Sequence, residues 1–108
     1  MNFETYTQKS LEAVRAAQAL AREHSHQQLE QLHLLNALLK QEGGLTSQLL
    51  KKMDVTVESL EATAMERLRR IPAVRGSVEA DRFYVSADMA DTFSAAEAQA
   101  FTITYIRV

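Results

Sequence analysis

The sequence predicts an all-α fold of about five short helices, and three observations lead to it. The first is the run Leu29 to Gly44, LEQLHLLNALLKQEGG, in which Leu32, Leu34, Leu35, Leu38 and Leu39 cover more than half of a helix circumference. A helix apolar over that much of its surface is buried, so the rest of the chain is expected to pack around it. The second is that apolar residues recur at three- and four-residue steps in the stretches on both sides. The third is punctuation: threonine, serine and aspartate open these stretches, while Gly43, Gly44 and Pro72 close them.

Composition bounds the chemistry. With 108 residues the chain holds one small domain and a single core. Twelve basic against 14 acidic residues give a net charge of -2, which argues against a polyanion partner such as nucleic acid. There is no cysteine, so disulfide frameworks and thiolate metal sites are excluded. The amino terminus lacks the basic start and apolar core of a signal peptide, and no run reaches the roughly 18 apolar residues of a membrane span. A cytoplasmic location and no membrane partner are the resulting expectations.

The elements follow in order. Thr5 and Thr7 are alternative caps for a first helix ending near His24; Gln8 could complete a capping box with Thr5, and Phe3 or Tyr6 could act as a hydrophobic staple. Leu11, Val14, Ala17 and Ala21 form its inner stripe, and its many alanines allow a second helix to approach closely. Ser25 to Gln31 is a polar connection. His24 and His26, on either side of its first residue, do not share a helix face and have no third ligand at suitable spacing, so a metal site is not expected. The central helix spans about Leu32 to Glu42, with Leu35 and Leu38 as its core anchors, His33 hydrogen-bonded at the core edge, and the glycine pair supplying the positive φ of its C-cap.

Leu45, Leu49, Leu50 and Met53 make a short third helix, with Lys51 and Lys52 in its last turn. Asp54 opens a turn, and Thr56 or Asp54 caps a fourth helix whose inner residues are Val57, Leu60, Ala64 and Leu68. Its arginines, Arg67, Arg69 and Arg70, read as a solvated helix end. Pro72 stops it, and a loop from Ala73 to Arg82 containing Gly76 follows. Ser86 or Asp88 caps a fifth helix lined by Met89, Phe93, Ala96 and Ala100. The final segment FTITYIRV, Phe101 to Val108, taken alone has the composition of a strand.

Sliding the sequence by 79 residues places Tyr6-Thr7 on Val85-Ser86 and Ala16-Ala17 on Ala95-Ala96. With a two-residue gap, Leu29 then falls on Ile106, so the sequence ends where a second leucine-rich helix would start. The chain reads as about one and a half repeats, a first over 1–76 and the start of a second over 83–108. Apolar residues of the fifth helix would then lack a cover, and the tail Phe101 to Val108 is expected either to pair with a neighbouring chain or to fold back over its own fifth helix.

FETYTQKSLEAVRAAQALA, LHLLNALLKQEGG and LRRIPAVRG (Leu68 to Gly76) together resemble the N-terminal Clp domain, specifically its ClpB disaggregase branch, over essentially all of the chain. The resemblance implies a pseudo-repeat of two four-helix units, here with the second truncated. It also implies a substrate-binding module of an ATP-dependent machine, hexameric and cooperating with a DnaK-type chaperone system, that captures unfolded or aggregated polypeptide for threading. The alternative within the family is an adaptor-docking domain of the ClpA or ClpC type. ATP and magnesium would belong to downstream domains: no GxxxxGK[ST] motif or catalytic arrangement is present, so neither cofactor nor enzymatic activity is expected here. By resemblance, Thr7 is the helix-capping threonine associated with substrate handling, Phe93 a position lining the peptide groove, and Tyr105 and Ile106 the pair ahead of the next helix. Ile103, where the family has an acid, and Glu97, where it has an apolar residue, depart from the pattern. The family's functional glutamate falls beyond Val108.

Overall fold

The computed structural model describes residues 6–74 and 84–107, with the backbone alone over 100–107. The order is α1 (Gln8–Glu23), β1 (Gln28–Leu29), α2 (Gln31–Lys40), α3 (Leu45–Lys52), α4 (Val57–Arg69), β2 (Tyr84–Val85) and α5 (Ala87–Arg107). The five expected helices are all present.

Of the two candidate caps for α1, Thr7 serves: its Oγ1 accepts the Ser10 N–H at 3.1 Å. Thr5 with its capping box and Phe3 lie outside the described residues. The buried face of α1 is Ala13, Val14, Ala17 and Ala21. Its end is a Schellman turn: Ser25 adopts φ 56°, its N–H bonds Arg22 O at 3.0 Å, and the His26 N–H bonds Ala21 O at 2.8 Å. α3 ends in the same way around Asp54 at φ 60°, with Val55 N–H on Leu50 O at 2.9 Å. Both left-handed positions are held by residues other than glycine, at a cost of about 1 kcal/mol each, less for aspartate, whose side chain tolerates this region.

α2 stops at Lys40, earlier than the sequence suggests, because Gln41 is already extended at ψ 122°. The glycine pair then divides its roles. Gly43 takes the positive φ, 66°, in the turn, while Gly44, at φ -76°, is the N-cap position of α3.

The core consists of two clusters that share α2. Val14 and Ala17 from α1, Leu29 from β1, Ala37 from α2, and Met89 and Phe93 from α5 form one. Leu39 from α2 with Val57 and Ala64 from α4 form the other, against which Leu35, Leu50 and Leu60 pack. The centre of the buried arc of α2 is not leucine: His33, Asn36 and Ala37 occupy it, and Leu39 is the only buried leucine of the helix. Leu35 and Leu38, expected as the anchors, are half-buried. α2 is packed between α1 and α4, so the narrow strip facing both takes the compact Asn36 and Ala37 with the His33 ring, and the other leucines lie toward its edges.

β1 and β2 pair in parallel, Gln28 with Tyr84 and Leu29 with Val85. This two-residue ladder is too short for any periodic signal. It delivers Ser86, whose Oγ accepts the Met89 N–H at 3.1 Å and caps α5. Thr7 and Ser86, the positions matched at an offset of 79, therefore cap their helices through the same bond.

α5 runs unbroken to Arg107, so the segment from Phe101 neither forms a strand nor turns back over the helix. Extending an existing helix adds a hydrogen bond for each residue ordered, whereas β-branched residues cost only about 0.7 kcal/mol or less apiece, and no glycine or proline interrupts the stretch. Ala96, expected to line the inner side with Phe93, is exposed. Gly76, most of the loop that follows Pro72, and Val108 lie outside the described residues.

Two outcomes test this packing. Leu39→Ala should lower the unfolding free energy by about 2–5 kcal/mol and Leu38→Ala by clearly less, as read from denaturant midpoints; the reverse order would contradict the two-cluster core. Ser25→Gly should raise the melting temperature, with a gain of up to about 1 kcal/mol from relief of the left-handed residue.

Candidate functional site

The exposed hydroxyl of Thr7 is engaged by its own helix, taking the Ser10 N–H and donating to Ser10 Oγ at 3.0 Å. Tyr6 precedes it and lies over Phe93, with ring centroids 6.4 Å apart, and its hydroxyl donates to Glu97 Oε1 at 3.2 Å. Burial, with the Glu97 carboxylate second, raises the Tyr6 pKa and keeps that proton in place. Thr7 and Phe93 are thus brought together through Tyr6. Phe93 itself is 3 % exposed and belongs to the core, so Tyr6 and Glu97 form the surface above it. Tyr105 and Ile106 lie roughly 18–20 Å further along α5 at about 1.5 Å per residue, and their side chains are outside the described residues.

An open groove of ≈ 470 Å³ runs between α1 and α2. Ala13, Ala16, Ala19, Leu20 and Ala37 supply its apolar lining, a direct result of the alanine-rich α1. One end is tied by Gln41 Nε2 donating to Lys9 O at 2.9 Å and Lys9 Nζ donating to Glu42 O at 3.1 Å. Asn36, also in the lining, donates through Nδ2 to Leu32 O at 2.8 Å and Ala64 O at 3.3 Å, which fixes the amide orientation because a flipped Oδ1 would face two carbonyls. Among the described residues, its Oδ1 has no hydrogen-bond partner. The groove can hold small apolar side chains of an extended chain, with polar contacts at its rim.

The structure also assembles a relay that spacing did not reveal. His26 Nε2 lies 3.1 Å from Ile71 O, His26 Nδ1 lies 2.8 Å from His33 Nε2, and His33 Nδ1 accepts the Glu30 N–H at 2.9 Å. A carbonyl only accepts and an amide N–H only donates, so both rings are neutral with the proton on Nε2, and every partner is satisfied. His33 is fully buried, deeper than the core edge expected for it, and burial lowers its pKa to about 4, with His26 adding to the effect; burial also lowers that of His26. His24 stacks on His26 at 5.6 Å. Among the described residues, no group of three or more His, Cys, Asp or Glu could hold a metal. The relay joins the α1 turn to the segment after α4, as does the Val74 N–H on Ser25 O at 2.8 Å. The signal in the sequence was Pro72: it forces Ile71 out of helical geometry, and the Ile71 carbonyl is the one His26 meets.

The model of the Clp repeat (R) N-terminal domain matches residues 5–107. The chain belongs to this family. Within it, the chain is similar to the chaperone protein ClpB of Bacillus cereus, 38 % identical over 87 residues, covering 80 % of this chain and 10 % of that protein. It is also similar to chaperone protein ClpB 1 of Parasynechococcus marenigrum, 44 % identical over 66 % of this chain and 8 % of the relative, and to ClpB of Clostridium tetani, 32 % identical over 100 % of this chain and 13 % of the relative. This Clp N-terminal domain thus spans about a tenth of the length of the curated relatives it matches. A solved structure from preliminary structural investigations of a malarial protein secretion system superposes with a TM-score of 0.74 at 26 % identity, covering 90 % of this chain and 65 % of that one. Among the described residues, no helix is long and apolar enough to cross a membrane.

The relay makes stability depend on pH. With folded-state pKa values below the ordinary 6.5, the histidines contribute their full stability above pH 6.5, and this is lost as pH falls toward the folded value of about 4 for His33, because only the unfolded chain takes up protons in that window. For His33 alone the loss approaches roughly 3 kcal/mol. Urea unfolding at pH 7.5 and 5 should show a clear drop before the carboxylates titrate; a flat profile would rule out a neutral buried pair.

Proposed function

We propose that this domain is the substrate-capturing front module of an ATP-dependent ClpB-type disaggregase, taking unfolded or aggregated polypeptide and presenting it for threading. The observation that carries the reading is the α1–α2 groove, an apolar trough walled by alanines and rimmed by polar groups, in a domain whose family relatives are named ClpB chaperones. Its shape suits short apolar stretches of extended chain, held weakly and without chemistry. Thr7, Phe93, Tyr105 and Ile106 belong to the same proposal as a second contact line along the α1 start and α5, with Tyr6 moving aside for Phe93 to meet a substrate. The repeat division at 1–76 and 83–108, a hexameric ATPase downstream, a cytoplasmic setting and work with a DnaK-type system complete the proposal; the ATP and magnesium would be bound by that downstream part.

Binding separates this reading from adaptor docking. Fluorescence anisotropy with chemically unfolded model proteins should give weak, broadly selective association that Ala16→Arg, placed in the groove, reduces by about tenfold or more. Binding confined to one folded partner, with unfolded chains ignored, would favour the adaptor reading instead. Thr7→Ala should cost about 1 kcal/mol of stability through loss of the cap, and Thr7→Ser should restore it. A capture defect of Thr7→Ala that persists well below the melting transition assigns Thr7 to substrate handling; loss of stability alone makes it only a cap.

A further inference from the structure

α3 has no buried residue. Leu50 reaches the second cluster and Ser47 Oγ donates to Leu39 O at 3.0 Å, which fixes one side of the helix to the body. On the other side Leu45, Leu49 and Met53 recur at four-residue steps and are 65, 49 and 69 % exposed. They make an apolar row along the whole helix. Single exposed leucines are ordinary, but a contiguous row with a polar edge marks contact surfaces. That edge is Gln48 and Lys52, both exposed and three residues on from Leu45 and Leu49, and α3 contains no acidic residue. The helix dipole accounts for lysines in the last turn. It does not account for the apolar row beside them.

We propose that this row is a docking surface for an amphipathic helix of a partner protein, one that presents acidic side chains beside its apolar face. A row at four-residue steps is the ridge that a second helix accepts in its groove, and Lys52 at its edge selects an acidic flank. A second copy of this chain fits poorly. In a parallel α3 pair Lys52 would face its own copy, and in an antiparallel pair it would face Leu45 to Gln48, which carries no acid. Three side chains also fall well short of the ~800 Å² per partner that a stable dimer buries. None of the row lines the α1–α2 groove, so this surface stands apart from polypeptide capture.

The test uses the full 108-residue chain and a labelled synthetic peptide of about 18 residues, with leucines at i, i+4, i+7 and i+11, glutamates along one side of that stripe and alanines elsewhere to favour the helix. Anisotropy should show salt-sensitive binding with a dissociation constant on the order of 10–100 μM. Leu49→Glu should weaken it by about tenfold or more and Lys52→Glu by about three- to fivefold, while Ala16→Arg in the groove leaves it unchanged. Leu49 is half exposed, so its variant should keep the wild-type melting curve; if it does not, Lys52→Glu alone decides. Equal affinity for a scrambled peptide of the same composition, no response to either α3 variant, recruitment to phosphatidylglycerol vesicles without peptide binding, or an α3-dependent dimer in sedimentation would each overturn the proposal.

Discussion

The burial of α2 is the constraint on which the rest of the structure depends. It forms a wall of both clusters, contacting α1, α3, α4 and α5, so a polar group on its inner face is costly unless paired. Yet two of its innermost side chains, His33 and Asn36, are polar. Each is oriented by fixed carbonyls or amides: His33 between the Glu30 N–H and His26, Asn36 between Leu32 O and Ala64 O. These bonds specify one arrangement of α1, α2 and α4 where leucines alone would tolerate several. The stability comes mainly from apolar burial, while the polar strip fixes the register.

The same logic explains the connections. A Schellman turn at Ser25 points His26 inward, and Pro72 places Ile71 O to receive it. The RIPAV segment thus has a mechanical role: with Val74 bonded back to Ser25 O, it clips the exit of α4 to the exit of α1. Residues that would pass as loop composition therefore close the first four helices into one unit.

What could be read from the sequence was what repeats along a helix. Caps at Thr7 and Ser86, the stripe through Val14, Ala17 and Ala21, the stop at Pro72 and the inward face of α4 all follow local periodicity or steric rules. What could not be read was pairing across the chain. Leucine spacing marked Leu35 and Leu38 as anchors, but which arc of α2 faces two neighbours is decided by α1 and α4 together. The β1–β2 ladder is two residues long, and the His26–His33 contact joins a turn to a helix, so neither has a period. The tail was misread for a different reason: strand propensity was weighed without the helix already running into it. Of the candidate site, the alanine walls of the groove were visible in composition, whereas the Tyr6 and Glu97 contact over Phe93 required the fold.

The way α5 is anchored at its start carries a mechanical consequence. Met89 and Phe93, its buried residues among those with described side chains, sit in its first two turns, next to the two-residue clip with β1 and the Ser86 cap. The helix then continues as a single rod to Arg107. The Ser86 N–H on Leu29 O at 3.0 Å joins the clip directly to the first turn of α5, so the ladder, the cap and the Met89 and Phe93 anchors form one mechanical joint. Opening of the ladder would therefore release both anchors together, and exchange of the Ser86 amide would report the release of Met89 and Phe93 from the core.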